Sequence, residues 1–180
     1  MPPTSPTPLT SVVAIGESLL DVVVRPGLDP LEHPGGSPMN IAIGLARLGR
    51  PVTLVTEVGT DARGAAIVEH LRADGVQLAA GSVRHEATST ATAHLGADGS
   101  AEYVFDLRWS LPSGLTAADP ALTAAGIVHA GSIGAFLEPG GRAVASLLAE
   151  LAGAEHPPLV PLDPNIRASI VPDHGAALGR

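Results

Sequence analysis

Four residues in the first quarter of the chain combine into a recognisable chemistry: Asp21, Gly35, Gly36 and Asn40. A carboxylate accepts two hydrogen bonds from a diol, a carboxamide both donates and accepts, and a glycine lets a polyol approach the backbone. Together they describe a binding surface for a polyhydroxy compound. Residue types alone leave the plainer alternative open, with Asp21 a surface turn residue, the glycines a bare turn and Asn40 a capping residue. Two further candidates have structural readings of their own. Asp163 follows an apolar run and could act as a base, yet Asp163-Pro164 is also a common strand-ending turn. His129 lies inside the run GIVHA and reads as a satisfied core histidine. The seven histidines contain no HxxxH pair, so no zinc site or other metal site is expected.

Composition removes several mechanisms. All ten basic residues are arginine, and there is neither lysine nor cysteine. A P-loop lysine, the strand lysine of a protein kinase, a Schiff base, a thiolate nucleophile and a cysteine-based metal site are therefore excluded. The formal charge of −8 and the lack of any basic run argue against nucleic acid and anionic membrane surfaces. Residues Met1–Thr10 carry four prolines and no apolar signal segment, and no apolar run has membrane-spanning length. The expectation is a disordered leader over 1–10 ahead of a soluble, cytoplasmic domain over 11–180.

The elements that must position these residues are punctuated by glycine and proline. Ser11–Gly16 (SVVAIG) reads as a buried strand, and Leu19–Arg25 as a second strand stopped by Pro26-Gly27. A helix is predicted from an N-cap at Ser37, with Pro38 in its first turn and Gly49 at its C′ position. Ile41, Leu45 and Leu48 form its expected inward stripe, and Ala42, Gly44 and Ala46 its points of close approach. Pro51–Val58 reads as a strand. Asp61 then caps a helix reaching Gly75, with Ala65, Val68 and Leu71 inward. This alternation predicts an α/β fold with a parallel sheet covered on both faces.

Thr88–Leu95 and Ala101–Asp106 break the rhythm, flanking Gly96-Ala-Asp-Gly99 as a hairpin. Alternation puts Tyr103 and Phe105 on one face, most simply as a local cluster covering a sheet. Gly126–Ala130 and Pro158–Leu162 read as later strands, with a helix over 140–152 between them. With aromatic residues at 2%, the core must come from Val, Ile, Leu and Ala.

The blocks GESLLD (Gly16–Asp21), GGSPMNIAIGLARLG (Gly35–Gly49) and VGTDARGAAIVEHLRADGV (Val58–Val76) together resemble the N-terminal part of PfkB-family, or ribokinase-like, carbohydrate kinases. HAGSI (His129–Ile133) and DPNIR (Asp163–Arg167) lean toward the family's fructokinase and 2-keto-3-deoxygluconate kinase branch. The resemblance implies a three-layer sandwich with a mostly parallel central sheet and a small inserted β lid near 88–109. It also implies that Asp21, Gly36 and Asn40 bind sugar hydroxyls, that Gly35 shapes the turn and that Phe105 covers the sugar ring. Asn165 and Arg167 would lie near the transferred phosphate or the substrate, and ATP with Mg2+ would be the cofactor.

One element of the family pattern is absent. The Gly-Ala-Gly-Asp run, whose aspartate is the family's general base and whose backbone N–H groups form an anion hole, does not occur in these 180 residues. The expectation is a sugar kinase represented by its N-terminal part, inactive alone and prone to self-association through the lid or an open sheet edge. The alternative is a noncatalytic sugar-binding or assembly module.

Overall fold

The computed structural model describes residues 10–96 and 98–164. In chain order its strands are β1 (Val12–Ile15), β2 (Leu19–Val24), β3 (Leu31–Gly35), β4 (Val52–Val55), β5 (Val58–Gly59), β6 (Gln77–Leu78), β7 (Val83–Arg84), β8 (Thr90–Leu95), β9 (Ala101–Asp106), β10 (Ile127–Gly131) and β11 (Leu162–Asp163). The helices are α1 (Ser37–Arg47), α2 (Ala62–Ala73), α3 (Pro120–Thr123) and α4 (Gly140–Ala152). A parallel five-stranded sheet of order β11-β10-β1-β4-β6 forms the centre. Among the described residues no helix is long and apolar enough to cross a membrane.

The sequence VVAI makes β1 the middle of this sheet, because alternate side chains serve opposite faces. Val12 and Ala14 pack with Met39, Ile43, Ile67 and Leu71 on the α1 and α2 side. Val13 and Ile15 pack with Leu122, Val144, Leu147 and Leu151 on the α3 and α4 side. Trp109 and Phe136 are the aromatic residues buried among the described residues, and the Trp109 indole N–H donates to the Gly134 carbonyl at 2.6 Å.

A second sheet of order β3-β2-β8-β9 contains the predicted hairpin. β2 and β8 run parallel, while β3 and β9 flank them antiparallel. The sheet therefore extends beyond residues 88–109 to recruit β2 and β3. Arg63 of α2 pairs with Glu32 of β3 at its margin.

Several helical details differ from the sequence reading. Gly36, not Ser37, is the N-cap of α1, with φ 116° and no side-chain cap, and its carbonyl accepts the Asn40 N–H at 2.9 Å. The buried face of α1 runs through Met39, Ala42 and Ile43, whereas Leu48 is 78% exposed. Gly44 faces open space and mediates no close approach. Small Ala42, with no exposed surface, lets the helix sit close to the sheet, and that rotation turns Ile41 elsewhere. Gly49 does adopt the left-handed C′ conformation, at φ 76°.

In α2 the Asp61 carboxylate caps as expected, accepting the Gly64 N–H at 2.8 Å. It also accepts the Thr88 N–H and hydroxyl, fixing the approach to β8. Gly64, Ile67 and Leu71 are buried, Val68 packs beside them, and Ala65 is exposed rather than inward.

Two predicted strands are interrupted. The stretch 51–58 breaks at Thr56-Glu57 because their polar groups are claimed outside the sheet: the Thr56 hydroxyl donates to Ser18, and Glu57 accepts the Ser110 N–H and hydroxyl. At the far edge, Leu159 only bridges Ile127, and pairing resumes at β11. Pro161 lacks an N–H for the ladder. Asp163 consequently lies within β11, opposite Gly131, rather than in a turn after the strand.

His129 is buried at 8% exposure, but it is not satisfied: among the described residues its Nε2 has no hydrogen-bond partner. Burial holds its imidazole below the ordinary histidine range, against an opposing pull from Asp163. The folded state thus favours neutral His129. Its contribution is present above the unfolded histidine pKa and is lost as pH falls through the lower folded value. Leucine at 129 removes both the orphan nitrogen and the titration. His129→Leu is expected to match or exceed the wild-type Tm at pH 8, with its advantage growing toward pH 5. Thermal melts at the two pH values check this.

Candidate functional site

Where the second sheet overhangs the carboxyl end of β1, a cavity of about 470 Å³ opens, within the usual range of small-molecule sites. Asp21, Gly36, Asn40 and Phe105, separate in sequence, all line it. The rest of its lining includes Glu17, Ser37, Ile41, Tyr103, Ser132 and Ile133.

Each position follows from the local fold. In β2, Asp21 pairs with His33 on one side and Ala91 on the other, and Ala91 in turn faces Phe105. The methyl group of Ala91 therefore separates the carboxylate from the aromatic ring and leaves room between them. Tyr103 and Phe105, two residues apart on β9, stack with centroids 6.1 Å apart and planes at 14°. Both face the cavity, so they are more than the local sheet cover read from the sequence. Their π faces suit the C–H face of a sugar ring.

Gly35 does not line the cavity, nor does it form a turn; it is the last residue of β3. Its missing side chain matters for another reason. A Cβ there would lie 2.2 Å from Asp21 Oδ2, so glycine leaves the space that the carboxylate occupies. Gly36 begins the helix with a backbone conformation that L-residues rarely adopt, placing Ser37 and Asn40 at the rim.

Glu17 has the least conspicuous sequence context of the cavity residues. A single acid after a glycine carries no sign of burial, yet Glu17 is only 4% exposed. Burial raises its carboxyl above the usual glutamate range, against the opposing pull of the Gly134 N–H first and then of its own N–H, the Ser132 side chain and the Ser37 N–H. Ser132 holds φ 56°, an unusual conformation for a residue other than glycine. Asn165 and Arg167 lie outside the described residues.

Residues 9–177 match the description "pfkB family carbohydrate kinase". The chain belongs to that family. A probable fructokinase-7 of Arabidopsis thaliana is 33% identical over 93% of this chain and 52% of its own length. Fructokinase-2 of Solanum lycopersicum is 34% identical over 89% of this chain and 52% of its own. The pfkB-family chain thus spans about half the length of the curated relatives it matches. Among solved structures, a sugar kinase from Pyrococcus horikoshii in complex with ATP is 26% identical, with TM-score 0.73 over 92% of this chain and 56% of that one. Fructokinase from Xylella fastidiosa, 24% identical with TM-score 0.74, shares the fold. The ribokinase-like arrangement of a mostly parallel central sheet with a small β lid is therefore the fold of this pfkB-family chain.

Proposed function

We propose that these residues form the sugar-binding part of a fructokinase-like carbohydrate kinase. The observation that carries this reading is the convergence of Asp21, Gly36, Asn40 and Phe105 on one cavity. Asp21 would accept hydrogen bonds from neighbouring hydroxyls, Asn40 would exchange donor and acceptor roles with another, and Phe105 would cover the ring. The names of the curated relatives support a ketohexose such as fructose as the first substrate to test.

The same cavity does not fit a triphosphate. Two carboxylates, Glu17 and Asp21, lie among its lining residues, which include neither arginine nor lysine. Among the described residues no cluster of His, Asp or Glu suits a metal ion. ATP and Mg2+ would therefore be held elsewhere, by the Gly-Ala-Gly-Asp type of element that this sequence lacks.

Two measurements test the reading. A panel of fructose, ribose, glucose and a polyol is expected to raise the Tm of the 180-residue chain for at least one sugar. A panel without any shift overturns the binding role. With ATP and Mg2+ added, no sugar phosphate is expected, and clear turnover overturns the assignment of phosphoryl transfer to residues outside this sequence. A downstream reading frame encoding Gly-Ala-Gly-Asp would favour half of an enzyme over a free-standing binding module.

A further inference from the structure

Gly16-Glu17-Ser18, between β1 and β2, is a junction into which two other backbones fit tightly. A Cβ on Gly36 would meet the Glu17 carbonyl oxygen at 2.6 Å, and one on Gly134 would meet the Gly16 Cα at 2.6 Å. On Gly16 itself it would meet Pro38 Cγ at 2.4 Å and the Gly131 carbonyl oxygen at 3.2 Å. The start of α1 and the turn after β10 thus approach the same three residues from different sides. Between them lies the Glu17 carboxylate. Its Oε2 accepts the Gly134 N–H at 2.7 Å, and the Ser132 side chain and the Ser37 N–H further stabilise its charge.

Packing alone could hold these segments at lower cost, since taking a carboxylate out of water is unfavourable unless its oxygens are well supplied with donors. Here the donors come from both segments that bound the cavity. Ser37 follows Gly36 at one wall, and Ser132 and Ile133 form another. Ser132 keeps its left-handed backbone, φ 56°, while its side chain bonds Glu17.

We propose that Glu17 is a positioning residue for the sugar cavity, tying the N-terminus of α1 to the Ser132–Gly134 turn and thereby fixing both walls relative to Asp21. The role rests on the sugar-binding reading above. The tie is independent of it, because the hydrogen bonds exist without any ligand. The carboxylate serves both segments, so losing it leaves only backbone packing to hold the two walls together.

Amide hydrogen exchange by NMR and sugar affinity, measured on the full 180-residue chain, separate these parts. Glu17→Ala is expected to speed exchange at Ser37 and Gly134 by about tenfold, the loss of one hydrogen bond's worth of protection, while core amides of β1 and β4 keep theirs. Sugar affinity is expected to fall by at least about tenfold for the same reason. Glu17→Gln retains one carbonyl oxygen, so it should fall between wild type and alanine in both readouts, and it serves if the alanine variant does not fold. Asp21→Ala should lose sugar binding without disturbing the Ser37 and Gly134 amides. Unchanged amide exchange in both Glu17 variants overturns the tie. Faster exchange with sugar affinity within about twofold of wild type overturns the positioning role, leaving only a structural one. A wild-type chain that binds no sugar overturns the sugar reading and the role built on it, while the exchange data still show the tie.

Discussion

Asp21→Ala is expected to abolish the rise in Tm that sugar produces. At a sugar concentration near one hundred times Kd, binding stabilises the wild-type chain by about 2.7 kcal/mol. For a chain of this size that corresponds to roughly 5–10 °C. Hydrogen bonds to a charged group contribute about 1.5–3 kcal/mol each, so losing two weakens binding by two orders of magnitude or more. The shift at the same concentration then falls to about 1 °C or less. Each variant's shift is read against its own Tm without sugar, so that any change in resting stability is separated from lost binding. Gly35→Ala provides a sharper comparison. It keeps the Asp21 charge but places a methyl group 2.2 Å from the resting position of Oδ2. If position matters, both variants lose the shift. If only charge matters, Gly35→Ala retains it, and the account of how β3 shapes the site is wrong.

Many elements around both sheets were legible because their boundaries carry punctuation that physics makes hard to mistake. Asp61 caps α2, Gly49 ends α1, and the Gly-Asp-containing turn joins β8 to β9. What could not be read was rotation. Of the expected stripe only Leu45 packs against the core, whose main face runs through Met39, Ala42 and Ile43, while Ile41 lines the cavity and Leu48 is exposed. The small sheet hid its edge in the same way. LEHPG has a proline and two charged or titratable side chains, a poor strand by composition. As the outermost strand β3 tolerates Pro34, because no neighbour requires its N–H on that side.

The lining of the candidate cavity was legible where chemistry and motif coincide, at Asp21, Gly36 and Asn40. It was illegible where burial confers the role. Glu17 looks like any surface acid in GESLLD, and only the convergence of α1 with the turn after β10 surrounds it with donors. Gly35 reads as a turn glycine in sequence, whereas the space it leaves for Asp21 depends on the register between β2 and β3. His129 illustrates the opposite error. An apolar context correctly indicated burial, but burial does not supply a partner for both ring nitrogens.

Gly36→Ala is expected to cause the largest loss of stability of any single methyl addition to α1. Its φ of 116° lies where L-residues cost about 1–3 kcal/mol, and a Cβ would stand 2.6 Å from the Glu17 carbonyl oxygen and 3.2 Å from the Ser18 Cα. Both obstacles are backbone, so neither can yield by a change of rotamer. Relief requires α1 to move away from the β1–β2 junction, and that uncovers the interface of Met39 and Ala42 with the central sheet. A loss of more than about 3 kcal/mol follows, or roughly 6–12 °C in Tm, together with loss of any sugar-induced shift. Two other glycines of the same helix isolate the cause. Gly49→Ala has positive φ but open space, so it should cost only about 1–2 kcal/mol. Gly44→Ala, in ordinary helical conformation with nothing within 4 Å, should stabilise by roughly 0.5–1 kcal/mol. Thermal melts of the three variants should therefore run in the order Gly44→Ala above wild type, Gly49→Ala slightly below and Gly36→Ala far below. Equal losses at positions 36 and 49 would mean that backbone conformation alone governs, and that the contact between α1 and Glu17 does not set the wall of the cavity.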